Sequence, residues 1–406
     1  MKTTLKLLAF FFTVCSVAGA QVEPAATAGG ASLNYALRYA QTGYISSGSL
    51  GNSQYAVASG NLGYINGSER LPFTADFGGG YDWKISGTSY ATGLFENLWL
   101  SQGIVRRNWK VLLNDSVSYL PQTPTTGFSG IPGIGEPIGV PNPAPPSSQS
   151  ILTLNTHVVN NVARGEYEHS LNYATSLSAA GSYDLLRYPD GNGLDTNDET
   201  GDAALAWRLN GRNLLSGTYV YSDFSYPGYN VTFETNTGLF GYQYKWSRNL
   251  STNVSVGPQW ISSSETSAVP PSTNVAASAA INYTLRFTSA SLTYSRGTNG
   301  GSGYLLGAES DSVIGNFSRE FGKNLTIGLT GGYQRTAGLN NNGVTSANYG
   351  GAEATWRIGR DIIVFANYTG TDQWSTSTLP ANALNQLMQV VGFGIGYSPR
   401  ETHFKQ

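Results

Sequence analysis

Leu33, Tyr35, Leu37 and Tyr39 alternate with Ser32, Asn34, Ala36 and Arg38. A period of two puts the first set on one face of a strand and the second on the other. The pattern recurs along the whole chain. Leu71, Phe73, Ala75, Phe77, Tyr81 and Trp83 stand against Thr74, Asp76, Gly78, Gly80, Asp82 and Lys84, and Trp109, Val111, Leu113, Val117 and Tyr119 against Lys110, Asn114, Ser116 and Ser118. Phe240, Tyr242, Tyr244 and Trp246 repeat it, as do Ala277, Ala279, Ile281, Tyr283 and Leu285. Val391, Phe393, Ile395 and Tyr397 close the series against Gly392, Gly394 and Gly396.

The connectors alternate in length. Short ones such as Asn66-Gly67-Ser68, Asn210-Gly211-Arg212, Gly322-Lys323-Asn324 and Gly359-Arg360-Asp361 supply the residues that tight hairpin turns need. Long ones run over 42–52, 120–150, 189–201, 262–274, 297–311, 336–346 and 371–385. The 120–150 loop holds eight of the chain's 17 prolines, which keeps it out of any sheet interior. Between the connectors the pattern predicts about 18 strands: 31–41, 54–65, 71–84, 91–101, 105–119, 152–171, 175–187, 202–209, 213–223, 231–246, 250–261, 275–286, 289–296, 312–321, 325–335, 347–358, 362–370 and 387–397. Because 54–65, 91–101 and 152–160 show no clean register, 16 strands also fit.

Strands with Leu, Val, Phe, Tyr and Trp on one face and Ser, Thr, Asn and Gly on the other can turn the first to lipid and the second to water. In lipid every backbone amide must be paired, so the strand-built solution is a closed barrel. The expected fold is therefore all-β, a transmembrane up-and-down antiparallel β-barrel over 31–397. Aromatic residues near strand ends (Tyr39, Trp83, Tyr119, Trp207, Trp246, Trp260, Trp356, Tyr397) mark its two interfacial girdles. Arg106, Arg107, Arg212, Arg248, Lys323 and Arg360 fall in short turns, read as the periplasmic rim, with the long loops outside.

Composition agrees. Of 406 residues 12% are charged, against roughly 25% in an ordinary soluble domain. A net charge of −2 without a basic block leaves no basis for nucleic acid as a partner. Lys2 and Lys6 precede the apolar run Leu7 to Val14, followed by Ala18, Gly19 and Ala20, which reads as a signal peptide over 1–20 with a short linker over 21–30. The single cysteine, Cys15, lies inside that signal, so disulfides and thiolate chemistry are not expected in the mature chain.

Signal, alternating strands, alternating connectors and missing cysteines together make the chain resemble the outer-membrane β-barrels of Gram-negative bacteria, in the broad porin-like group. The resemblance is architectural and covers Ala31 to Tyr397, with 398–406 left as a C-terminal tail. It implies outer-membrane lipid, the barrel-assembly machinery and small solutes as partners, and it leaves a homotrimer open.

Candidate chemistry is sparse. The histidines are His157, His169 and His403. His169 and Ser170 are adjacent and so face opposite sides of a strand, while His157, near the outer end of its strand, can meet an acidic loop. No catalytic site and no cofactor are expected. The stretch PDGNGLDTNDETGD at 189–202 offers Asp190, Asn192 and Asp195 as weak calcium ligands, but without EF-hand spacing, and a solvated acidic loop is the simpler reading. Gly297 to Gly303 reads as a flexible loop.

Function is expected in the lumen. Strand parity turns Arg38, Asp76, Asp82, Lys84, Lys110, Arg164, Glu166, Glu168, Arg208, Lys245, Arg286, Glu353 and Arg357 inward, eight basic against five acidic. So slight a bias predicts weak anion preference at most. The expected function is passive diffusion of small hydrophilic solutes, with the 120–150 loop folding inward. The alternatives are a polysaccharide export conduit, which inward Tyr or Trp tracks would favour and none is evident, and a non-conducting structural or adhesive barrel.

Overall fold

A computed structural model describes residues 30–46, 51–87, 92–121, 156–191, 193–340, 343–376, 386–399 and 402–405. The expected signal peptide, most of the linker and nearly all of the 120–150 loop lie outside these residues.

The first nine strands are β1 (Gly30–Ser46), β2 (Ser53–Asn66), β3 (Phe73–Gly87), β4 (Leu94–Val105), β5 (Trp109–Pro121), β6 (His157–Ser170), β7 (Thr175–Arg187), β8 (Thr196–Arg208) and β9 (Asn213–Tyr226). The next are β10 (Val231–Lys245), β11 (Leu250–Ser263), β12 (Ser272–Leu285), β13 (Thr288–Asn299), β14 (Ala308–Phe321), β15 (Leu325–Gly338), β16 (Val344–Ile358), β17 (Ile362–Ser375) and β18 (Leu387–Tyr397). Each pairs antiparallel with its chain neighbours, and β1 pairs with both β2 and β18, closing the sheet. The 18-stranded barrel expected from the alternation is the barrel observed. Among the described residues no helix is long and apolar enough to cross a membrane.

One short strand was not foreseen. β19 (Thr402–Lys405) lies in the expected tail and pairs with Gly30 to Leu33 of β1, on the same edge that β18 occupies higher up. Its register is one residue out of step: Leu37 faces Tyr397, yet Leu33 faces Thr402. The tail thus resumes the pairing that β18 leaves, so the lower edge of β1 is not open.

The outer face is that of a membrane wall. Leu37, Phe240 and Phe393 expose 60%, 59% and 59% of their surface, a contiguous apolar exterior that a water-soluble protein would bury. At the short-turn end, Arg106 stacks over Trp109, Arg286 over Phe287 and Arg319 over Phe321, pairing basic groups with a girdle of rings. Turn chemistry explains the tight reversals. The Asn210 side-chain oxygen accepts from the backbone N–H of Arg212 and Asn213, at 2.8 and 2.9 Å, and Gly322 and Gly359 adopt φ of +69°.

Most strands run further toward the long-loop end than periodicity indicated, although β4 and β6 begin later than the expected 91 and 152. β8 begins at Thr196, so Asn197, Asp198, Glu199 and Asp202 belong to the wall and the acidic-loop reading holds only for 188–195. Likewise Glu309 and Asp311 are in β14, where both pair with Arg296 of β13. The outward charges Glu199, Asp223 and Glu234 are direct cross-strand neighbours near the upper strand ends, where the apolar band stops. Extending strands past the band costs nothing in lipid, so the charges there broke the alternation without ending the strand.

The lumen's upper part is packed. Phe224, Tyr226, Val231, Phe233, Ile261 and Val269 form a buried cluster joined by Leu194, Leu306 and Leu339 from loops. The loop after β13 packs back onto the β7–β8 connector. Gly301, Gly303 and Gly307 take φ of +76°, +83° and +79°, and the Gly303 carbonyl accepts from the Leu194 N–H at 2.8 Å.

Candidate functional site

Register and exposure assign every strand residue to a face, because outward positions such as Leu113, Leu205 and Val391 are exposed and their neighbours turn in. By that rule Arg38, Asp76, Asp82, Lys84, Lys110, Arg164, Glu166, Glu168, Arg208, Lys245, Glu353 and Arg357 are placed on the inner face. Arg286 is not: β12 ends at Leu285, and Arg286 lies in the two-residue turn over Phe287. The longer β8 also brings in Asp198, and register adds Asp184, Asp202 and Glu320, which lay inside the predicted strands but were not among the inward charges expected. The inner faces of β1 to β18 then carry seven basic residues and nine acidic ones, so the small excess has the opposite sign to that expected.

Several charges meet. Lys110 and Glu168 are direct cross-strand partners, 2.6 Å apart on β5 and β6. Arg164 donates to Asp202 at 3.1 Å. Arg38 lies within electrostatic reach of Glu353. Pairing of this kind removes net field from the channel while leaving polar groups at its surface.

Inward rings do occur. Tyr44, Tyr55, Phe95, Trp99, Tyr349 and Phe365 all point inward, from β1, β2, β4, β16 and β17. Four of them are packed in apolar clusters: Tyr44 with Tyr55 and Met388, and Phe95 with Phe365 and Val57. Gly80 and Gly394 make the space, since a Cβ on either would lie 2.5 and 2.4 Å from the Phe95 and Phe365 rings. A glycine opposite a ring reads as polar in an alternation, which hid these contacts.

His157 does meet an acidic loop. Its Nδ1 lies 2.8 Å from an Asp190 carboxylate oxygen, its Nε2 3.1 Å from the Thr92 carbonyl, and its ring stacks on Tyr119 at 5.4 Å. Both ring nitrogens thus have oxygen partners, which fix the orientation of the ring. Asp190 also accepts from the His157 N–H at 2.9 Å and the Thr156 hydroxyl at 3.2 Å. Partial burial pushes the Asp190 carboxyl up, but these bonds outweigh it and hold the carboxyl below its ordinary value. The arrangement ties the entry of β6 to the β7–β8 connector. His169 faces outward beside Tyr167, whose hydroxyl lies 3.2 Å from its Nδ1.

Of the weak calcium set, Asn192 lies outside the described residues. Asp195 accepts from the Tyr188 N–H at 2.9 Å and pairs with Arg187 at 3.8 Å. Asp190 and Asp195 are thus turned to different partners, and among the described residues no group of three acidic, histidine or cysteine side chains could hold a metal.

No protein-family model and no curated protein matches the chain. Among solved structures it is similar to Pseudomonas aeruginosa OccK2 (OpdF) in complex with glucuronate, at 12% identity over 91% of this chain and 98% of that one, with a TM-score of 0.48. It is also similar to OccK5 (OpdH) of the same bacterium, at 10% identity over 91% and 98%, TM-score 0.46. For OccAB3 of Acinetobacter baumannii the figures are 8% identity over 92% and 99%, TM-score 0.46. The barrel described above rests on its own strand pairing.

Proposed function

We propose that this protein is a pore of a Gram-negative outer membrane through which small hydrophilic solutes diffuse passively. The supporting observation is a sheet of 18 antiparallel strands closed through β1, apolar outside and predominantly polar inside. A barrel of this strand number encloses more space than its own side chains fill. Among the described residues the close polar contacts of the inner face include charge pairs such as Lys110 with Glu168, hydroxyl pairs such as Ser255 with Ser278, and amide–hydroxyl pairs such as Gln259 with Thr237. The assembly machinery of the outer membrane and its lipid are the partners such a wall requires.

A second reading, a barrel closed at its mouth, has one observation in its favour: the apolar cluster of β9 to β11 with Leu306 and Leu339 that narrows the long-loop end. Osmotic swelling of liposomes separates the two. An open pore lets liposomes in isosmotic sugar or small polyethylene glycol swell at a rate that falls with solute size. Swelling no faster than that of protein-free liposomes, with the barrel inserted, supports the closed reading instead.

A further inference from the structure

The charges of the lumen are segregated. Across β9 to β15, seven consecutive strands, the inner faces carry only Lys245 and Glu320, each at the short-turn end of its strand. The remaining inward charges are on β1, β3, β5 to β8 and β16. The segment 122–155 adds a single charge to the chain, Glu136, and no basic residue.

What replaces charge on that wall is hydroxyl. Ser216, Gly241, Ser255, Ser278, Ser295, Ser312 and Gln334 are successive direct cross-strand partners from β9 to β15. The Ser255 and Ser278 hydroxyls are 2.8 Å apart and those of Ser295 and Ser312 2.6 Å apart, both pairs open to the lumen. Because each strand is offset from the last, the row climbs. Ser216 is the fourth residue from the short-turn end of β9, whereas Ser312 is the fifth from the long-loop end of β14. Asn253 and Thr293 flank it with further uncharged donors and acceptors.

We infer that this wall favours uncharged, polyhydroxylated solutes over charged ones of equal size, which deepens the proposed pore function and rests on it. A hydroxyl is both donor and acceptor. A solute hydroxyl can therefore replace the water on a serine pair without changing the number of hydrogen bonds, and can pass to the next pair along the row. A carboxylate or ammonium entering the same wall sheds water and finds no counter-charge. On the opposite wall Lys110 with Glu168 and Arg164 with Asp202 are paired, and the other inward charges there, Arg38, Lys84, Asp76 and Glu166 among them, are of both signs, so that wall presents no single-sign ring.

The test uses one ring in three charge states. Tracer efflux of glucose, glucuronate and glucosamine is compared from proteoliposomes of the full chain, at zero membrane potential and high salt, beside potassium chloride conductance. Glucose leaving faster than both charged analogues supports the inference. Equal rates, or faster glucuronate or glucosamine, overturn it while leaving the pore intact. Absence of conductance removes the pore reading itself and the inference with it. Changing Ser255, Ser278, Ser295 and Ser312 together to Val should slow glucose by about 2- to 10-fold, the scale of one net hydrogen bond. Changing the same four to Thr, equal in shape to Val but keeping the hydroxyl, should restore the rate. Equal loss in both variants marks a steric effect and contradicts the assignment.

Discussion

The guanidinium of Arg164 donates to the carboxylate of Asp202 at 3.1 Å, reaching from β6 across the small residues Ala180 and Ser182 of β7 to β8. Such a half-exposed pair adds only about 0–1 kcal/mol to stability, so its consequence is electrostatic. Arg164→Ala leaves an acid facing the channel and should raise the preference for potassium over chloride. Asp202→Asn should shift it the other way. With seven basic and nine acidic residues on the inner faces, the unmodified barrel is expected to show weak cation preference. Reversal potentials in a potassium chloride gradient read all three.

Gly303 holds the loop after β13 against Tyr188. It takes φ of +83°, and a Cβ there would come 2.2 Å from the Tyr188 hydroxyl oxygen. Gly303→Ala should therefore displace the loop, at a cost of about 1–3 kcal/mol. The expected readout is a lower unfolding midpoint in urea with altered single-channel conductance. An unchanged conductance would show that this loop does not narrow the mouth.

Asp190 makes the β7–β8 connector acid-sensitive. Its carboxyl is held below the ordinary value of 3.8 by His157 and Thr156, so the folded state binds that proton less readily than the unfolded chain does. The stabilisation is complete above 3.8 and fades as pH falls through the lowered folded value. Amide exchange over Tyr188 to Asp195, corrected for intrinsic rates, should be protected near neutral pH and accelerate as the pH falls below 3.8. Asp190→Asn should exchange fast at both, having lost the charged partner of His157.

The four residues of β19 cover the lower edge of β1. Ending the chain after Tyr397 would leave the backbone groups of Gly30 to Leu33 unpaired on that side, just below the girdle that Tyr397 marks, and open the seam where the barrel closes. The truncated chain should lose the compact, heat-modifiable band on electrophoresis or convert to the unfolded band at lower temperature.

Much of this fold is written in the alternation, because a wall between lipid and water sorts residues by face. Where sorting weakens, so does legibility. β2 turns Ala56, Ala58 and Gly60 to lipid, β4 turns Phe95 and Trp99 inward, and β6 turns Val158 and Val162 inward, so in each the faces look alike. Above the apolar band neither face is constrained by lipid, which is why Asp198 and Asp311 were read as loop. The inward positions of Arg38, Lys110, Arg164 and Glu353 followed from parity alone. Their partners did not, since reaching Asp202 from Arg164 depends on register across two interfaces. The packing of Gly301 to Gly307 against Tyr188, Phe233 and Leu339 joins segments far apart in the chain and leaves no local signal.

Conductance of the purified full-length barrel in a planar bilayer tests the central claim most directly. An open pore gives discrete, stable steps that scale with bulk salt conductivity, with potassium slightly favoured over chloride. A folded, heat-modifiable barrel that inserts without producing steps would contradict the account.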